Sequence, residues 1–195
     1  YNIPDSLLRP DMAMREGIKQ GEVEHEAIVF THPHIDHVGG VHFLAPDFPV
    51  FMGMDAKLVL YVWQHLIGVS SSQFVDYVDL FSKAVKKDGR LGHISRMGSQ
   101  ESRIVPRNIK CYEEFPLFEK DLFGNDTDVQ LNHFEFKLGN MNVLAYRVGH
   151  STPGSFGLVF QTSAGNIMWS GDCHYRGRDG ELTRKFIRST QGMDL

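Results

Sequence analysis

Three histidines and a carboxylate fall within six residues in the stretch Thr31-His32-Pro33-His34-Ile35-Asp36-His37-Val38-Gly39-Gly40. Imidazole and carboxylate are ligands for zinc-type cations. A grouping this dense points to metal binding over a solvated histidine-rich loop. Alternation along an extended segment aims His32 and His34 the same way. Asp36 and His37 follow where the chain bends into a helix, so they can face a second ion beside the first. The glycines let the backbone turn closely around the cluster.

The elements that must position these groups can be read from the same pattern. Ala27-Ile28-Val29-Phe30 is short, β-branched and aromatic, and predicts a buried strand that stops at the cluster. Phe48 to Met52 predicts the next strand, and Ile109 to Tyr112 another. Asp55 is placed as the N-cap of a helix running to Ile67. A second helix is expected after Ser71 or Ser72, with Phe74, Val78, Phe81 and Val85 as its apolar stripe, ending near Gly89. Met12 to Lys19 predicts a short helix, and residues 89–106, with neither period and several glycines, a loop that contains His93. The last third is strongly β. Phe134, Phe136 and Leu138 alternate with polar residues, and Gly139-Asn140 turns the chain into Met141 to Val148. Phe156 to Thr162 and Ile167 to Ser170 make a further pair. Two strand ends then deliver His150 and Asp172, each preceded by glycine. His174 lies one alternation past Asp172, and Cys173 points the opposite way, as a small apolar residue would.

The first stretch matches His-x-His-x-Asp-His at every specified position, and so resembles the signature of the metallo-β-lactamase superfamily. On that basis His32, His34 and His150 are assigned to a first ion, Asp36 and His37 to a second, and Asp172 to both. Asp36 and Asp172 are the carboxylates given a catalytic part. Three histidines leave a zinc position open. Two ions about 3.5–4 Å apart lower the pKa of a shared water from ~16 towards 7, for attack on phosphorus or a carbonyl carbon.

Val148-Gly149-His150-Ser151-Thr152-Pro153-Gly154-Ser155-Phe156-Gly157 is similar to the His-Ser-x-Pro-x-Ser-x-Gly stretch of ribonuclease J-like proteins. Ser170-Gly171-Asp172-Cys173-His174-Tyr175-Arg176-Gly177-Arg178 resembles their Gly-Asp-Phe-Arg-x-His-Gly-Arg segment, with Cys173 and His174 in place of phenylalanine and arginine. The resemblance spans most of residues 26–188 and is poorest over 55–105. It implies an α/β (α+β) fold, the four-layer αββα sandwich, incomplete here at both ends, in one domain over 1–195 with an insertion at about 55–105. It also implies zinc, with manganese the alternative, and RNA or another phosphodiester as substrate. The family's upstream β-hairpin, its β-CASP part and a last histidine ligand do not occur in this sequence, where no histidine follows His174. The sequence therefore reads as part of a longer enzyme or as a degenerate copy, with a weakened second metal site.

Two other readings stay open. Gly149-His150-Ser151-Thr152-Pro153-Gly154 is also close to the Gly-His-Thr-x-Gly stretch of glyoxalase II-type thioesterases and lactonases. A non-catalytic fragment that keeps the fold is the third.

Composition sets the frame. A length of 195 residues suits one domain with a real core, and 42% hydrophobic with 23% charged residues is ordinary for a globular protein. No apolar run approaches the ~20 residues of a membrane span. The start, Tyr-Asn-Ile-Pro-Asp-Ser, has no signal-peptide pattern and no initiator Met. Two cysteines make no disulfide framework and suit a cytoplasmic setting. The net charge of −4 is unevenly spread. Residues 83–110 carry eight basic against two acidic side chains, and 176–188 five against two. Such segregation either guides a polyanion or marks a solvated surface. Nothing in the sequence sets an oligomeric state, and a homo-oligomer is allowed.

Overall fold

The computed structural model describes residues 7–9, 27–67, 77–79, 81–85, 91–96, 104–113, 133–177 and 179–192. The helix expected over Met12 to Lys19 lies outside them. Sheets and helices are mixed, as the α/β expectation required. Eleven strands are described: β1 (Ile28–Val29), β2 (Val50–Met52), β3 (Tyr77–Asp79), β4 (Phe81–Val85), β5 (Leu91–Arg96), β6 (Ile104–Pro106), β7 (Ile109–Cys111), β8 (Phe134–Leu138), β9 (Met141–Arg147), β10 (Phe156–Thr162) and β11 (Gly165–Trp169). A three-stranded sheet has the order β1-β2-β7, and a four-stranded sheet the order β11-β10-β9-β8. Two compact units divide the chain: Tyr1–Ile28, Gly39–Val50 and Tyr61–Ile109 form one, and Val29–Val38, Phe51–Leu60 and Lys110–Leu195 the other.

The second unit holds the four-stranded antiparallel sheet. The hairpin β8–β9 closes at Gly139-Asn140, where Leu138 pairs with Met141 and Gly139 takes a φ of 54° that a residue with a side chain resists. The hairpin β10–β11 closes with Thr162 opposite Gly165. In β8 Glu135 and Lys137 face solvent, which is the alternation of a half-covered strand. In β9 Val143, Leu144, Ala145 and Tyr146 are all buried, because this central strand is covered on both faces. One cover is the helix Gly180–Thr190: its Phe186 joins Leu144, Tyr146, Val148 and Val159 in a core that also takes Met168 and Cys173. Cys173 thus packs as the small apolar residue its alternation suggested. On the other cover Phe51 and Tyr112 stack on Phe136, each with ring centroids 5.0 Å apart. Tyr112 also meets Phe156 edge-on and donates its hydroxyl to the Phe30 carbonyl at 2.7 Å.

Asp55 is not the helix cap the sequence suggested. The helix Met54–Val62 starts one residue earlier and continues as a π-helical turn over Trp63–Ile67. The Asp55 carboxylate is buried and accepts from Arg147 Nη1 at 3.1 Å, while Arg147 Nη2 donates to Glu113 at 3.3 Å. The Arg147 guanidinium also lies over the rings of Phe134 and Phe156, 5.6 and 5.3 Å from their centroids. Burial raises the Glu113 carboxyl, opposed by Arg147.

In the first unit, two sequence expectations are corrected. The stripe Val78, Phe81 and Val85 is not helical: β3 pairs antiparallel with β6, and β4 with β5. A spacing of four, as between Phe81 and Val85, keeps one face in a helix and in a strand alike, so periodicity could not separate the two. Phe74 lies outside the described residues. Within 89–106, Leu91–Arg96 and Ile104–Pro106 are strands and not loop, and His93 lies in the first of them. A register shift between Lys83 and Val85, and Gly92 in the partner strand, hide the alternation that marks a strand. Among the described residues no helix is long and apolar enough to cross a membrane.

Candidate metal centre

Topology explains how distant residues meet. β9 and β11 each run antiparallel to β10, so they are parallel to each other and their C-terminal ends emerge at one edge of the sheet. His150 follows β9 and Asp172 follows β11. The Thr31–His34 segment is fixed to the same edge, where the Phe156 amide donates to the Thr31 carbonyl at 2.8 Å. Gly171 completes the junction with a φ of +58°, and a Cβ there would lie 2.8 Å from Thr31 Cβ. His34 then leads into the helical turn Ile35–Val38, whose His37 and Val38 amides donate back to the His34 carbonyl. The His150 loop is held by the Gly149 amide donating to Thr183 Oγ1 at 2.9 Å and by the His174 amide donating to the Gly149 carbonyl at 2.6 Å.

His32, His34, His150 and Asp172 each present one ligand atom, and these atoms all lie within 4.8 Å of one another. His34 Nδ1 is 3.1 Å from His150 Nε2, and His32 Nε2 is 3.8 Å from Asp172 Oδ2. Asp36 and His37 stand outside that group of four. His37 Nε2 lies 3.4 Å from Asp172 Oδ2, and its ring centroid is 4.0 Å from that of His32. Asp36 is 77% exposed and approaches His37 Nε2 at 3.7 Å, whereas Asp172 is 52% exposed. The His174 ring is 5.2 Å from that of His150, at the exposed rim.

The donor set fits a metal ion. His32 is 0% exposed and its Nε2, turned towards Asp172, has no hydrogen-bond partner; His150 Nδ1 is likewise buried and unpartnered. A buried imidazole nitrogen without a partner is costly unless something electrophilic meets it. Tetrahedral zinc bonds of about 2.0–2.1 Å put two nitrogens ~3.3 Å apart, close to the separation of the His34–His150 pair. Two hydroxyls brace the cluster from outside: Thr31 Oγ1 lies 3.0 Å from His32 Nδ1, and Ser151 Oγ 3.3 Å from His34 Nε2. Sequence reasoning assigned neither hydroxyl a role, although each adjoins a histidine of the cluster.

Burial, followed by the positive potential of His37, His150 and His34, lowers the His32 pKa from 6.5 to about 4, against the pull of Asp172. Burial and His34 lower His150 as well. Both rings are thus held in the neutral form that binds metal. The unfolded chain takes up a proton at His32 near pH 6.5 that the folded chain refuses until about pH 4. Metal-free protein therefore loses stability as pH falls through that window, by roughly 3 kcal/mol from this group by pH 4. Urea denaturation of wild type and His32→Gln across pH 7 to 4 isolates the effect: the wild type is expected to lose more. Parallel pH dependences would contradict it.

No family model matches the chain. Two curated relatives are similar to it: ribonuclease J of Mycoplasma genitalium, 21% identical over 160 residues, and ribonuclease J of Mycoplasma pneumoniae, 27% identical over 165. Each match covers 82% of this chain and 20% of the relative, so the chain spans about a fifth of their length. Among solved structures, a protein of unknown function from Enterococcus faecalis V583 superposes with a TM-score of 0.54 at 17% identity. That match covers 94% of this chain and 33% of the other, and shows a shared fold.

Proposed function

We propose that the chain carries the metal centre of a hydrolase that cleaves RNA phosphodiesters, a ribonuclease J-like enzyme of the metallo-β-lactamase arrangement. The observation that carries the reading is the meeting of His32, His34, His150 and Asp172 from separate stretches of a chain similar to ribonuclease J. His32, His34 and His150 would hold a first ion, Asp36 and His37 a second, and Asp172 both. Zinc suits the imidazole-rich donors, with manganese the alternative. Such ions, when bound, acidify a water and offset charge building on a phosphoryl oxygen.

The chain's own groups do the rest. The half-exposed Asp172 carboxylate and His37 Nε2 stand 3.4 Å apart, so both are within reach of the second ion the reading assigns them. Asp36, exposed, approaches the same His37 Nε2 at 3.7 Å. Some of the described basic side chains are already engaged within the chain. Glu181 holds Arg184 and Arg188 at 2.8 and 2.6 Å, and Arg107 is buried against the Leu44 carbonyl. Arg176 remains exposed, two residues past His174. We read the chain as one metallo-β-lactamase-like domain in a cytoplasmic setting.

The test is turnover by the zinc- or manganese-loaded chain on 5′-monophosphorylated RNA, beside a hydroxyacyl-glutathione and lactone panel, with His32→Ala/His34→Ala as control. Metal-dependent RNA cleavage, lost in the control, is expected. Turnover of a thioester or lactone alone would move the reading to small-molecule hydrolysis. No metal-dependent turnover of any substrate would overturn it.

A further inference from the structure

We infer that Thr31 and Ser151 are positioning residues of the metal centre: their hydroxyls fix which nitrogen of His32 and of His34 is turned to the ion. The inference rests on the metal-centre reading above and concerns residues that reading leaves without a role. A neutral imidazole carries its proton on one nitrogen and ligates through the other, so the partner of the protonated nitrogen decides which atom is offered.

The two histidines use opposite nitrogens. In His32, Nδ1 meets Thr31 Oγ1 at 3.0 Å, leaving the buried Nε2 towards Asp172 with no partner. In His34, Nε2 meets Ser151 Oγ at 3.3 Å, leaving Nδ1 3.1 Å from His150 Nε2. With each hydroxyl accepting from the outer N–H, the lone pairs of His32 Nε2 and His34 Nδ1 both face the centre. With the reverse tautomers, both would bring protons there.

The hydroxyls are themselves held or shared. Thr31 is buried, its carbonyl is tied to the Phe156 amide, and Gly171 packs so closely that a Cβ would lie 2.9 Å from Thr31 Oγ1. The loop bearing Asp172 thus presses on the residue that orients His32. Ser151 follows His150 but serves His34, and so links two ligand-bearing loops. His150 has no such support, since its Nδ1 is buried and unpartnered.

The experiment measures zinc affinity by chelator competition in wild type, Thr31→Val, Thr31→Ser, Ser151→Ala and Ser151→Thr. Long-range ¹H–¹⁵N spectra of the zinc-loaded wild type read the histidine tautomers directly. Thr31→Val and Ser151→Ala are expected to weaken binding roughly 10- to 100-fold each, the usual cost of losing a hydrogen-bonding support behind a ligand. The two hydroxyl-retaining variants are expected to recover most of it. The spectra should place the proton on His32 Nδ1 and His34 Nε2. Unchanged affinity in both hydroxyl-free variants, or protons on the opposite nitrogens, would overturn the assignment. Ser151 is exposed, so Ser151→Ala carries the test even where Thr31→Val fails to fold. A wild type that binds no zinc would instead overturn the metal-centre reading, and the positioning roles with it.

Discussion

His32→Ala is expected to abolish zinc binding at the centre and to lower metal-dependent hydrolysis by more than about 100-fold, beyond the usual cost of losing a ligand's hydrogen-bonding support. His32 is fully buried at the middle of the cluster, with ring centroids 4.9, 4.0 and 4.7 Å from those of His34, His37 and His150. Removing it takes away one member of the group of four and opens a gap where the others must converge. Among the described residues, the nearby His37 is engaged with Asp172, and His174 lies at the rim beside His150. His174→Ala is the matched control, and it should retain near wild-type zinc affinity. Circular dichroism of both variants separates a lost ligand from a lost fold. Equal zinc affinity in His32→Ala and wild type would remove His32 from the site.

Arg147→Met is expected to cost about 3–5 kcal/mol of stability, because it leaves two carboxylates buried without the cation between them. Asp55 and Glu113 are both buried and share the Arg147 guanidinium. Methionine fills much of the volume over the Phe134 and Phe156 rings, so the loss reports mainly on charge. The sign of the pH dependence follows. Glu113 already has a raised pKa from burial, with Asp55 adding to it, and loss of Arg147 removes the largest of the influences that oppose it. A carboxyl with a raised folded-state pKa loses stability as pH rises, so the variant's deficit should shrink as pH falls from 7 towards 5. Urea denaturation of both proteins at the two pH values measures this. A deficit under about 1 kcal/mol, the range of exposed ion pairs, would show that the triad carries little of the fold. Arg147 ends β9 three residues before His150, so the same variant should also loosen the metal centre.

The candidate centre was legible in the sequence because its residues sit where strands stop. His32 and His34 end the run Ala27–Phe30, and Gly149 and Gly171 announce the bends that carry His150 and Asp172. The four-stranded sheet was equally readable, since β8 alternates and Gly139-Asn140 marks the β8–β9 turn. What failed was ambiguous locally. Phe81 and Val85 fit either period, and the register shift in β4 erased the alternation that would have decided for a strand. Asp55 looked like a cap because only the fold brings Arg147 to it across the chain. Ser151 could not be assigned to His34 for the same reason: the contact joins residues far apart in sequence.

The central claim is that His32, His34, His150 and Asp172 share one ion. The anomalous signal at the zinc edge from crystals of the zinc-loaded protein tests it most directly. The account predicts a peak bounded by the three imidazoles, with nitrogen ligands at about 2.0–2.1 Å. A peak elsewhere on the chain, or none beside His32 at saturating zinc, would contradict it.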